Sequence, residues 1–119
     1  MLPDERDAAW LWDIVDAAKQ AKEFVTGLNY LQYQRDRKSQ MAVERAVEII
    51  GEAARRISTK FQEAHPEIPW RSMISLRNVL AHEYGEIKQE IIWQIATLRA
   101  PELIALIEPL IPQPPDSRP

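Results

Sequence analysis

From residue 43 to residue 61 the apolar side chains fall at Val43, Ala46, Val47, Ile50, Ala53, Ala54, Ile57 and Phe61. A return every three or four positions lines up on one face only in an α-helix, so this stripe commits residues 38–64 to one long amphipathic helix. Gly51 sits inside the stripe, where glycine costs ~1 kcal/mol relative to alanine. A glycine at such a place permits close helix approach, and a tight crossing is expected there.

The flanking segments follow the same period. In residues 4–26, Trp10 (or Leu11), Ile14, Val15, Ala18, Ala21 (or Lys22) and Val25 recur at helical steps, with Asp4, Glu5 and Asp7 in the first turn and Thr26-Gly27 at the end. Trp10 and Trp12 cannot share that stripe, which leaves partial burial within one chain or a subunit contact for one of them. Residues 28–37 are a connection with at most one helical turn, in which Tyr30 and Tyr33 anchor on the core. His65-Pro66-Glu67-Ile68-Pro69-Trp70 is a rigid connector. Pro69 at a first helical position and Trp70 behind it start the next helix, with Met73, Ile74, Leu76, Val79 and Leu80 as its buried surface. Residues 88–111 carry Ile91, Ile92, Ile95, Leu98, Leu103, Leu106, Ile107 and Leu110, and Pro101 must bend or split that helix near Ala100. No stretch alternates like a strand. The expectation is an all-α, antiparallel helical bundle over residues 1–111, followed by a proline-rich tail, 112–119, that is extended or disordered.

Composition removes several function classes. The absence of cysteine excludes disulfides and thiolate metal sites, and two histidines far apart in sequence argue against an imidazole-based one. No apolar run approaches a membrane span and the N-terminus lacks a signal pattern, so a cytoplasmic protein is expected. A net charge of −3 argues against a general nucleic-acid coat. The charge is uneven, however: residues 35–77 hold nine basic and six acidic side chains, a local +3.

One apolar run is interrupted by groups that a core helix does not need. Arg77-Asn78-Val79-Leu80-Ala81-His82-Glu83-Tyr84 places an arginine, an asparagine, a histidine and a tyrosine together. At about 100° per residue Asn78 and His82 share a face, Arg77 lies about 140° from His82, and Tyr84 returns almost above Arg77. A long arginine stem, a helix ending near His82, or a second copy of the chain could reunite the two side chains. Gly85 is a good residue to follow a helix end and is expected to stop this one. Histidine exchanges protons near neutral pH, arginine's fork matches phosphate oxygens, and asparagine can orient either. Together they suit attack of an RNA 2′-hydroxyl on the neighbouring phosphate, a reaction that needs no metal or other cofactor. It does want two proton-transfer groups, which a symmetric dimer with both His82 side chains at one cleft would supply. On spacing alone, the commoner arrangement is a histidine capping a helix end and an arginine paired with a carboxylate on the neighbouring helix.

The spacing Arg-x4-His-x-Tyr resembles the signature of HEPN ribonuclease domains, and more narrowly that of HepT toxins. The likeness extends over residues 6–111 through Gly51-Glu52-Ala53, Ile68-Pro69-Trp70, Arg77-Asn78, His82 and Tyr84. It implies a HEPN-like homodimer acting as a metal-independent endoribonuclease toxin on RNA, plausibly transfer RNA. Arg77 and His82 would be catalytic near the dimer interface, with Asn78 orienting. The implied antitoxin partner is a nucleotidyltransferase that adds AMP to Tyr84. Glu52 is a candidate acid to orient Arg77 or His82, or else a surface partner of Arg56. The Gly85-Glu86-Ile87 turn departs from relatives that carry a bulkier residue after the tyrosine. The rival from another class is a non-catalytic helical module that binds the nucleotidyltransferase.

Overall fold

The computed structural model describes residues 2–112, and every regular element among them is helical. Residues 113–119, most of the expected tail, lie outside the described residues. Helix α1, Glu5–Val25, starts at Asp4, whose carboxylate accepts the Asp7 N–H at 2.7 Å. Leu11, Ile14, Val15, Ala18, Ala21 and Val25 are buried along it, so Leu11 rather than Trp10 takes the core position. Trp10 and Trp12 are both half-buried, and the Arg56 guanidinium lies 5.5 Å from the centre of the Trp10 ring.

The connection holds one short helix, α2, Tyr30–Gln34, capped reciprocally by Asn29 and Gln32. Tyr33 is fully buried and donates its hydroxyl to Gln89 Oε1 at 2.7 Å. Burial and the nearby Glu44 carboxylate push the Tyr33 hydroxyl far above its ordinary pKa, so it remains a donor. The Tyr30 and Tyr33 rings meet Trp93 at 5.8 and 5.2 Å, which fastens α2 to the C-terminal half of the chain as expected.

The long helix is shorter than its stripe suggests. Helix α3, Arg37–Arg56, buries Val43, Ala46, Val47, Ile50, Ala53 and Ala54, and the chain then turns extended at Ile57. It resumes as α4, Thr59–Ala64, capped by Ser58. A carboxylate from the far end of the sequence holds the break. Asp7, only 4% exposed, accepts the Ser58 N–H at 2.9 Å and the Ser58 hydroxyl at 2.6 Å. Continuing the helix would forfeit both bonds around a buried charge, which is costly. The same contact sets the start of α1 beside the end of α3, so the two run antiparallel.

Three helices complete the frame, α5 (Trp70–Ile74), α6 (Leu76–His82) and α7 (Gly85–Gln94), before a π-helical turn, Ile95–Arg99, leads into α8, Ala100–Ile107. The Ala100 N–H donates to Ile95 O, five residues back. That widening precedes Pro101, whose ring would crowd the carbonyl of a regular α-turn and which has no N–H to offer. The helix is thus divided at Ala100, as expected, and the division takes the form of a π turn. Ile104 lines a surface cleft with Lys22 and Thr26, while Glu108 pairs with Lys19, so α8 also runs antiparallel to α1. The described residues span 42 × 33 × 18 Å, about two helix diameters in the shortest direction. None of their helices is long and apolar enough to cross a membrane.

At Gly51 α3 passes close to α5 and α6. A methyl group added there would lie 3.2 Å from the Met73 carbonyl oxygen, 3.4 Å from Arg77 Cγ and 3.6 Å from Leu76 Cβ. Backbone cannot move aside as a side-chain tip can, so Gly51→Val should overpack the crossing and cost about 1–3 kcal/mol. Thermal melting should show a lower Tm; an unchanged Tm would mean that α5 and α6 lift off α3 without penalty.

Candidate active site

The motif segment is positioned by that crossing. Pro69 precedes α5, and Trp70 behind it is buried with its indole N–H donating to His65 O at 2.9 Å. His65 closes α4, meets the Phe61 ring at a tilt with 4.5 Å between centroids, and contacts Glu67 at 3.0 Å. It belongs to the connector, as its place before Pro66 suggests. At Ser75 the helix restarts. The Ser75 hydroxyl donates to Ser72 O at 2.8 Å, and the Asn78 N–H returns only three residues, to Ser75 O at 2.9 Å. A serine hydroxyl competing for backbone carbonyls is enough to offset a helix at that point. The expected single motif helix is thus two short ones, α5 and α6.

Helix α6 buries none of its residues completely, unlike every longer helix of the fold. Met73 on α5 is buried, whereas Ile74, Leu76, Val79 and Leu80 are only half-buried. The helix ends at His82, Glu83 and Tyr84 are extended, and Gly85 begins α7 with φ +59°. The glycine does take the left-handed conformation, but three residues after the helix has stopped.

Arg77 has its stem against Gly51 and its guanidinium 3.5 Å from Glu52 Oε2. The other carboxylate oxygen of Glu52 accepts from Arg55 at 3.1 Å and Arg56 at 2.9 Å. Those two hydrogen bonds hold the Glu52 carboxyl below the ordinary carboxylate range, so it stays charged at neutral pH. The two readings of Glu52 are therefore both present: it pairs with Arg56 on its own helix and with Arg77 across the crossing. The Arg77 contact is half-exposed, a setting in which an ion pair orients a side chain without locking it.

Arg77 stands between two clefts. On one side a cleft of about 840 Å³ is lined by Arg55, Arg71, Arg77, Asn78 and Glu63 among others. On the other side a cleft of about 350 Å³ is lined by Trp10, Asp13, Arg45, Glu48, Glu52 and Arg77. Tyr84 is 78% exposed and lines a third cleft of about 430 Å³ with Arg37 and Lys88. His82 is exposed, lines none of these three, and its imidazole has no hydrogen-bond partner among the described residues. A single chain thus brings Arg77 to Glu52 in one cleft and beside Asn78 in the other, while His82 and Tyr84 line neither of them. Among the described residues no three His, Cys, Asp or Glu side chains converge as metal ligands. Arg71 and Arg55 lie outside the motif yet line the same cleft as Arg77; in the sequence only their positions, beside Trp70 and one turn past Gly51, signal this.

Residues 14–110 match the family model described as Ribonuclease HepT-like. The chain belongs to the HepT-like ribonuclease family. The match contains the Gly51 crossing, Glu52 and the whole of Arg77–Tyr84. A Methanocaldococcus jannaschii protein named "Putative RNase" is 36% identical over 110 residues, 92% of this chain and 91% of its own length. A second protein of that organism, similarly named, is 37% identical over 84% of this chain and 92% of its own. A Thermococcus cleftensis protein named "Probable ribonuclease HepT" is 38% identical over 85% and 92%. No solved structure matches the chain significantly. Membership fits the all-helical architecture, and the family's own name directs attention to a phosphodiester and to the cations that could hold one.

Proposed function

We propose that this chain is the toxin of a toxin–antitoxin pair, a metal-independent endoribonuclease that cuts RNA, plausibly transfer RNA, as a homodimer. The observation that carries the reading is Arg77, held by Glu52 at the mouth of a cleft that Asn78 also lines, in a chain of the HepT-like ribonuclease family. In the proposed reaction a His82 imidazole takes the proton of a ribose 2′-hydroxyl, whose oxygen attacks the adjacent phosphorus. The P–O5′ bond breaks, and the 5′-oxygen receives a proton from the second His82. A 2′,3′-cyclic phosphate and a 5′-hydroxyl remain. Arg77 stabilises the extra negative charge of the five-coordinate phosphorus, Asn78 orients the phosphate or the imidazole, and Glu52 positions Arg77. Two copies are required because one chain holds one His82 and keeps it out of the Arg77 cleft. A twofold axis near the end of α6 brings both imidazoles to one place and covers the half-exposed apolar face of that helix.

Neutralisation is assigned to a nucleotidyltransferase partner. The Tyr84 oxygen attacks the α-phosphorus of ATP, pyrophosphate leaves, and AMP stays on the tyrosine. Exposure of 78% makes Tyr84 accessible to such an enzyme. The added phosphate would compete with RNA for the arginines of the site.

The rival reading, a non-catalytic module that only binds the nucleotidyltransferase, is favoured by the separation of His82 from the clefts. Activity distinguishes them. Purified protein free of its partner, incubated with total transfer RNA in excess EDTA, should leave 2′,3′-cyclic phosphate ends. His82→Ala should be slower by about 10²–10⁴-fold, and with no partner to lose it should keep the wild-type Tm. No cleavage by the unmodified protein selects the interaction module, and cleavage by both proteins removes His82 from the mechanism. The modification is tested separately. After co-expression with the transferase, intact mass should rise by one or more AMP units in wild type and not in Tyr84→Phe. An adduct on the phenylalanine variant would place the acceptor elsewhere.

A further inference from the structure

The two clefts that meet at Arg77 differ in sign. The larger one presents Arg55, Arg71 and Arg77 against a single carboxylate, Glu63. The smaller one presents Asp13, Glu48 and Glu52 against Arg45 and Arg77. Within that balance of one negative charge, Arg45 is paired with Glu48. On a chain whose net charge is −3, the larger cleft is a local reversal of the overall field. It is an open groove of about 840 Å³, within the roughly 300–1,000 Å³ of small-molecule clefts, and its open form suits a strand that passes through.

The cations of this cleft are not all committed elsewhere. The Arg71 guanidinium has no ion-pair or hydrogen-bond partner among the described residues. Arg55 reaches Glu52 across a half-exposed contact of 3.1 Å, an interaction weak enough to exchange for a phosphate. Thr59, Gln62 and Ser75 add neutral polar groups, and Ile74 supplies apolar wall.

We infer that the cleft between α4, α5 and α6 seats the RNA strand on one side of the scissile phosphate, with Arg55 and Arg71 binding backbone phosphates next to the one held by Arg77. The strand leaves Arg77 in this direction because the opposite cleft repels it. This assignment rests on the ribonuclease reading and adds to it a direction and two phosphate-binding residues outside the Arg-x4-His-x-Tyr motif. Neither touches the reacting atoms; both act on substrate affinity.

Arg71 is the cleaner test, since its removal leaves Glu52 and Arg77 untouched. Binding of fluorescein-labelled transfer RNA should be followed by anisotropy across a salt series, in a His82→Ala background so that the RNA is not cut. Arg71→Ala and Arg55→Ala should each weaken binding by about fivefold to tenfold and lower the slope of log affinity against log salt by about 0.7. Glu63→Gln should tighten binding by about two- to threefold, which a merely unfolded variant could not do. Arg45→Ala, across Arg77, should leave affinity unchanged. With His82 intact, the Arg71 variant should raise KM and spare kcat. Wild-type affinity in both arginine variants, while unmodified protein still cuts the RNA, overturns the inference and leaves an acidic protein segment as occupant of the cleft. Weakening by Arg45→Ala equal to that by Arg71→Ala overturns the direction. Failure of the unmodified protein to cut either transfer RNA or total cellular RNA overturns the ribonuclease reading itself, and this one with it.

Discussion

Everything near the motif depends on the close passage of α3 under α5 and α6 at Gly51. With no Cβ at that point, the Met73 carbonyl and the Arg77 stem approach to a distance that any other residue would fill. The consequence is electrostatic as well as steric. Glu52, the next residue along α3, arrives within 3.5 Å of the Arg77 guanidinium and already carries Arg55 and Arg56 on its other oxygen. One small residue thus decides where a group of three arginines gathers on an acidic chain.

The frame around that crossing is stiff where the site needs it and loose where the site needs access. The α1–α3 pair is closed by Asp7 on Ser58, and α2 is closed on α7 by Tyr33 and Trp93. Gln89 continues from Tyr33 to Glu44, which Lys88 also grips at 3.0 Å, so the start of α7 is tied to α3. Between these fixed points lie α6 and the Glu83–Tyr84 turn, with no completely buried side chain in α6 and Tyr84 nearly fully exposed. A lightly buried helix between rigid neighbours is a natural place for a partner or a substrate to complete the packing.

The sequence carried the helical class and the crossing at Gly51, because a 3.6-residue stripe with one glycine in it has few other solutions. Tyr30 and Tyr33 were likewise readable as anchors. The break at Ile57–Ser58 was not, since the stripe runs on through Ile57 and Phe61 and the carboxylate that holds the break lies 51 residues away. The restart at Ser75 depends on one hydroxyl choosing a carbonyl, and the π turn before Pro101 on how the chain absorbs a proline, neither of which periodicity records. In the site, the arc of about 140° between Arg77 and His82 anticipated their separation. The pairing of Glu52 with both Arg56 and Arg77 needed coordinates, as did the gathering of Arg55 and Arg71 in one cleft, because these residues come from different helices.

We propose an active unit that shares its two His82 side chains across a twofold axis, since the imidazole of one chain lines neither Arg77 cleft. Subunit exchange between wild type and His82→Ala tests this directly. If each reaction uses both imidazoles, only all-wild-type dimers are active, and a fully exchanged equal mixture should retain about a quarter of the wild-type rate. Retention of about half would show that each chain cuts RNA with its own His82, and would contradict the shared cleft.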